Sequence, residues 1–145
     1  MRIAVISDTH NQLPDRVVAA IRDADQIWHL GDVTSPAIIE RLRALRRPLR
    51  VVRGNCDESP EWPLTLEFEL EGLRFLLLHI PPREPLRGFD VLLHGHTHVP
   101  RNEVIGGVRF LNPGCIGRPN KGAPASYAWL DVKADAALSW ETVLV

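Results

Sequence analysis

The sequence predicts an α/β chain built as two packed sheets flanked by helices, and three observations carry that reading. Between residues 3 and 52, short apolar runs alternate with segments of helical periodicity; such βαβαβ units pack a parallel sheet through right-handed crossovers. From residue 64 onward strand patterns dominate, separated by turn signals. The chain has 145 residues, the usual size of one domain, and folding at that length buries roughly two-thirds of the unfolded surface. A single domain spanning 1–145 is therefore expected.

Each element has its own reason. Ile3 to Ile6 is apolar and β-branched, as a buried parallel strand requires. Pro14 suits the first turn of a helix whose apolar positions are Val17, Val18 and Ile21. Gln26 to Leu30 reads as a second strand closed by Gly31. Ser35 is placed to cap a second helix, with Pro36 at its first position and Ile38, Ile39, Leu42 and Leu45 on one face. Leu49 to Val52 is a third strand. Leu64, Leu66, Phe68 and Leu70 alternate with polar residues, which predicts one buried and one wet face. Glu71-Gly72 turns that strand into Leu73 to His79, and Asp90 to His94 forms another. Gly106-Gly107 marks a hairpin, and Tyr127 to Val132 with Ala137 to Val143 makes the last one.

Composition excludes several classes. Seventeen Lys and Arg against eighteen Asp and Glu leave a net charge of -1, so stable nucleic-acid binding is not expected. No apolar run approaches the ~18–20 residues of a membrane span, and the N-terminus meets Ser7 and Asp8 before a signal-peptide core can form. Two cysteines, Cys56 and Cys115, make neither a disulfide framework nor a zinc knuckle. A reduced, cytoplasmic protein with no membrane partner follows. Six histidines are the count that stands out.

The chemistry-bearing residues fall just after strands. Asp8 and His10 follow the first, Asp32 the second, Asn55 and Asp57 the third; His79 closes the next, and His96 and His98 follow Asp90 to His94. Carboxyl ends of strands line the ligand crevice in open α/β sheets. Asp8, Asp32, Asn55 and four imidazoles make a mixed O/N donor set without thiolate, which suits Mn, Fe, Ni or Zn. Seven donors are too many for one metal that keeps an open position, and suit two metals about 3.5–4 Å apart. Singly, each has a plain structural alternative. Asp8 also fits a loop cap, Gly31-Asp32 and Gly54-Asn55 fit turns, and His29 and His94 lie inside strands as hydrogen-bonded core or edge residues. Gly95-His96-Thr97-His98 is the most specific piece.

Together these residues resemble the calcineurin-like metallophosphoesterase superfamily. The matching pieces are Asp8-Thr9-His10, Gly31-Asp32, Gly54-Asn55-Cys56-Asp57, His79 and Gly95-His96-Thr97-His98, in the family's order. Asn112-Pro113-Gly114-Cys115 is similar to the Asn-Pro-Gly-Ser loop of the small bacterial and archaeal phosphodiesterase branch. The resemblance implies a four-layer α-β-β-α sandwich of two mixed sheets flanked by helices. It implies that Asp8, His10 and His98 bind one divalent metal, Asn55, His79 and His96 a second, and that Asp32 bridges them. Manganese is the first expectation, with nickel, iron or zinc as alternatives, and a metal-bridging hydroxide would attack phosphorus in line. Asp32, Asn55, Asp57 and His98 are the expected catalytic residues. Asn55, Cys56, Asn112, Gly114 and Arg118 are the expected substrate contacts, with Arg53 and Arg83 as surface charges or phosphate contacts.

Two positions depart from the pattern. Many members carry His where this chain has Cys56, placed to protonate the leaving group; a neutral thiol is a poor acid at pH 7. Other members of the branch also read Gly-Asn-Cys-Asp, so this is no mark of a dead enzyme, and Asp57 or water is left to assist. Ile80-Pro81-Pro82 stands where the family often has Gly, and stiffens the loop. The expected function is a metal-dependent phosphodiesterase acting on a small phosphodiester such as a cyclic nucleotide. The alternatives are a phosphomonoesterase or nucleotide pyrophosphatase, and a protein-interaction scaffold of the retromer-subunit type. Trp62 reads as a base-stacking residue or a core edge, and Trp129 and Trp140 as core or contacts of a homodimer or higher homo-oligomer.

Overall fold

The structure, a computed structural model, describes residues 1–84, 86–117 and 122–145. Along the chain run β1 (Arg2–Ile6), α1 (Asp15–Ile21), β2 (Gln26–His29), α2 (Pro36–Arg43) and β3 (Leu49–Val51). They are followed by β4 (Thr65–Leu70), β5 (Leu73–Leu78), β6 (Val91–Leu93), β7 (Arg101–Ile105), β8 (Val108–Asn112), β9 (Ser126–Val132) and β10 (Leu138–Leu144). Two mixed five-stranded sheets result, ordered β10-β9-β1-β2-β3 and β4-β5-β6-β8-β7. Each has a parallel trio, β1-β2-β3 in one and β5-β6-β8 in the other, flanked by antiparallel hairpin strands.

The period-two alternation of side chains decides which layer each residue joins. Ile3 and Val5 of β1 point between the sheets with Trp28, Phe75, Leu77, Leu93 and Leu130, while Ala4 and Ile6 point to the helices, against Val17, Ile21, Ile38, Ile39 and Leu42. Trp28 meets Phe68 and Phe75 edge-on, with centroids 5.3 and 5.5 Å away, and its indole N–H donates to Gln26 at 3.0 Å. Trp28 thus bridges the two sheets within the core between them.

Several expectations shift. Leu64 lies outside β4 and is 61% exposed, because the chain is still held at Pro63, whose carbonyl accepts the Arg53 backbone N–H at 2.8 Å. Pro14 sits at the cap position of α1, and Ser35 at that of α2 makes no side-chain cap bond. Both helices cover the first sheet. The outer face of the second sheet, with Leu76, Leu92, Val108 and Phe110, is covered by Leu78, Leu86 and Phe89; among the described residues no helix lies there. Trp62 is buried in the helix-side core, and Trp129 and Trp140 are partly buried at core edges. Among the described residues no helix is long and apolar enough to cross a membrane.

Candidate metal centre

Six parallel strands end at one edge of the sandwich. The loops after β1, β2, β3, β5 and β6 carry Asp8 and His10, Asp32, Asn55 and Asp57, His79, and His96 and His98, while Asn112 ends β8 and Gly114 follows it. Backbone bonds lace these loops together: Asp8 N–H donates to Gly31, His10 N–H to Asp32 and Gly117 N–H to Asp8, all within 2.9–3.0 Å. Two glycines are required by close approach. A Cβ on Gly54 would collide with the Asp32 carboxylate, and one on Gly95 with Ser7 Oγ. Asp8, His10, Asp32, His96 and His98 all have left-handed backbones, with φ of 53, 44, 56, 71 and 63°. Non-glycine residues pay conformational energy for that, and persist there only where surrounding bonds over-determine the geometry.

The side chains converge as the spacing implied. One ligand atom each from Asp8, His10, Asp32 and His98 lies within 4.8 Å of the others. His10 Nε2 is 3.4 Å from His98 Nε2, and His98 Nε2 is 3.2 Å from Asp8 Oδ1. Asp32 Oδ2 lies 3.6 Å from His10 Nε2 and 3.2 Å from His79 Nε2, so it stands between two histidines from different sheets. On the far side His96 Nδ1 faces Asn55 Oδ1 at 3.1 Å, and the His79 and His96 rings are 5.3 Å apart. All seven donors reach one cleft.

Two of these atoms face only other members of the cluster. Asp8 Oδ1 and His79 Nε2 are buried, and their nearest polar neighbours are His98 Nε2 and Asp32 Oδ2, each at 3.2 Å, without well-formed hydrogen-bond geometry. Their sister atoms are engaged: Asp8 Oδ2 accepts from Ser7 Oγ at 2.6 Å and the His96 N–H at 3.2 Å, and His79 Nδ1 bonds the Leu30 carbonyl at 2.7 Å. That bond makes Nδ1 the donor and turns the lone pair of Nε2 into the cleft. Buried polar atoms that lack well-formed hydrogen bonds are costly, and a carboxylate oxygen and an imidazole nitrogen aimed at one space among further Asp and His donors fit a cation. The donors present therefore fit a divalent metal.

The electrostatics agree. Burial pushes the Asp8 carboxyl above its usual range, against the opposing pull of His79. Burial would push His79 down, but Asp32 and Asp8 outweigh it and push the imidazole up. Asp32 shows the reverse balance: burial would raise it, yet His79 and the Cys56 backbone N–H, which donates to Oδ1 at 2.8 Å, hold it well below the usual range. A negative field concentrated on buried imidazoles attracts a divalent cation as well as protons.

The remaining expected residues sort differently. The Asp57 carboxylate accepts three backbone N–H groups at 2.8 Å, two on the loop that carries Asp32 (Asp32 and Thr34) and one, Gly54, on its own loop, so it ties the two loops together. Asn112 is fully buried; its amide N–H groups donate to the Gly95 carbonyl and Thr97 Oγ1, and its oxygen accepts from Gly114. Asn112 and the Gly114 N–H are thus engaged within the chain, bracing the His96 loop, instead of facing a ligand. Cys56 is exposed at the cleft, and Arg118 lies outside the described residues. His29 is buried and accepts from the Gly31 N–H at Nδ1, leaving Nε2 to donate to Thr9 Oγ1, 3.1 Å away. His94 bonds the Gly95 carbonyl and accepts from Arg101. Neither contributes to the donor cluster. The supporting groups not anticipated are Ser7, the Leu30 carbonyl and the Thr34 N–H, of which only Ser7, next to Asp8, left a trace in the sequence.

The site is thus a cleft of Asp, His and Asn donors at the ends of the two parallel trios, suited to hold a divalent cation. Residues 1–135 match the calcineurin-like phosphoesterase superfamily domain, and the chain belongs to that superfamily, whose members use divalent metals. A probable metallophosphoesterase of Methanothermobacter thermautotrophicus is 40% identical, covering 79% of this chain and 76% of its own. Phosphodiesterase YfcE of Escherichia coli K12 is 34% identical, over 90% of this chain and 88% of its own. The solved structure of E. coli YfcE matches with a TM-score of 0.80 at 30% identity, over 99% and 98% of the two chains. Zinc-bound Vps29 from Entamoeba histolytica shares the fold, with a TM-score of 0.79 at 21% identity over 99% and 98%.

Proposed function

We propose that this chain, as one catalytic domain, hydrolyses a small phosphodiester, a cyclic nucleotide being one candidate, at a centre of two divalent ions. The observation that carries this is the position of Asp32 Oδ2 between His10 and His79. Asp8, His10 and His98 would hold one ion, and Asn55, His79 and His96 the other, with Asp32 shared. The mixed O/N donor set suits manganese, nickel, iron or zinc, and manganese is the first choice to test. Bound there, the ions would acidify a water for attack on phosphorus and neutralise charge on the phosphoryl oxygens.

The chain's own groups do the rest. The Leu30 carbonyl fixes the His79 tautomer, and Asp57, as a positioning residue, holds the Asp32 loop through its contacts to the Asp32 and Thr34 N–H groups. Asn55 Nδ2, whose contact here is the Cys56 sulfur at 3.5 Å, is available to donate to a phosphoryl oxygen. His98, whose ring stays partly exposed, is available to a substrate phosphoryl group. With Cys56 in place of an imidazole, leaving groups that depart without a proton are favoured. The names of YfcE and of MJ0936 from Methanocaldococcus jannaschii, both called phosphodiesterases, support diester over monoester. The test is hydrolysis of bis-p-nitrophenyl phosphate against p-nitrophenyl phosphate with manganese added and then chelated. A diester preference lost on chelation is expected; a monoester preference, or turnover indifferent to chelator, would reverse the reading.

A further inference from the structure

On the His79 side the cleft continues into a groove of about 220 Å³ lined by Arg53, Asn55, Leu64, Leu78, His79 and Ile80. Its composition is unlike the rest of the site. Three aliphatic side chains form its walls, and two of them, Leu64 and Ile80, are 61% and 51% exposed. Large apolar side chains left exposed together beside a polar cleft mark a binding surface. The local fold keeps them there. Leu64 precedes β4 and stands outside the sheet core, while Ile80 follows His79 directly and is followed by Pro81 and Pro82, which restrict the loop's backbone.

Asn55 and His79 line both this groove and the metal cleft, so a phosphoryl group held at the cleft presents a substituent directly to the aliphatic walls. We propose that the groove is a specificity pocket for an apolar, preferably aromatic, ester group of the phosphoester substrate; this rests on the metal-phosphate reading above. The size fits, since a cavity of about 150 Å³ holds a benzene ring. Arg53 lines the same groove, and its Nε is buried with no hydrogen-bond partner among the described residues. A guanidinium in the wall favours an aromatic occupant over an aliphatic one of equal size. Leu64, Leu78 and Ile80 thereby decide which diester is taken, without touching the reacting atoms.

Calorimetric titration of the manganese-loaded protein with methylphosphonate and phenylphosphonate tests this without turnover, because the C–P bond is not hydrolysed. Phenylphosphonate is expected to bind on the order of tenfold more tightly, from the ring area removed from water. In the double variant Leu64→Ala, Ile80→Ala that advantage falls to twofold or less, with methylphosphonate affinity unchanged; both side chains are exposed, so the fold tolerates their loss. Equal affinities in the wild type, or an advantage that survives in the variant, would overturn the pocket. Failure of both phosphonates to bind would instead overturn the metal-phosphate reading, and the pocket with it.

Discussion

His79 Nε2 lies 3.2 Å from Asp32 Oδ2, while its other ring nitrogen is held at 2.7 Å by the Leu30 carbonyl. The pair joins the two sheets at the cleft, because Asp32 follows β2 of one and His79 follows β5 of the other. Substituting His79→Ala removes a ligand from one ion only. Bound manganese, measured by elemental analysis, is expected to fall from two per chain to one, and kcat on the order of 100-fold. Retention of both ions would show that His79 is not a ligand.

Asp57→Asn tests positioning against proton transfer. The substituted amide presents an NH2 where Asp57 now accepts backbone N–H groups, leaving at least one buried donor unpaired at a cost of about 1–3 kcal/mol. The melting temperature and manganese affinity should both drop, with the shape of the pH–rate profile unchanged. Loss of the alkaline limb of that profile would make Asp57 the proton donor.

Cys56→His supplies the imidazole this position lacks. Cys56 is exposed, so the change is tolerated structurally. Turnover of diesters with alkyl leaving groups should rise by at least ~10-fold, a modest share of what a placed general acid contributes. Turnover with p-nitrophenolate as leaving group should barely change. An equal effect on both would remove leaving-group protonation as the missing step.

Stability of the metal-free protein should fall in acid through His29. Burial, then the nearby His79, lowers its imidazole to about 3 from the ordinary 6.5; a protonated Nδ1 would also oppose the Gly31 N–H. Below pH 6.5 the unfolded chain takes up a proton that the folded chain refuses, so this contribution is complete above pH 6.5 and lost progressively towards pH 3. At pH 5 the loss is about 2 kcal/mol. Urea unfolding in chelator should therefore show wild type losing about 2 kcal/mol relative to His29→Asn between pH 8 and pH 5. Parallel profiles would show His29 titrating normally.

The cleft was legible in the sequence because its donors are tied to strand ends. Asp8, Asp32, Asn55, His79 and His96 each follow an apolar run, and parallel topology carries those ends to one edge. His29 and His94 were separable as bystanders for the same reason, lying inside their runs. What the sequence hides is how a buried polar side chain spends its bonds. Asn112 and Asp57 read like ligand contacts from their motifs, yet tertiary packing surrounds each with backbone groups that need partners. The left-handed backbones of Asp8, His10 and His98 carry no signal, since neighbouring loops impose them. Leu64 continued the alternation of its strand, but the bond from Arg53 to Pro63 sets it outside the sheet.

Anomalous scattering from crystals grown with manganese tests most directly whether two ions share Asp32. Two peaks are expected, one bounded by Asp8, His10 and His98 and the other by Asn55, His79 and His96, each in contact with Asp32. A single peak, or two of which only one reaches Asp32, would contradict the shared centre.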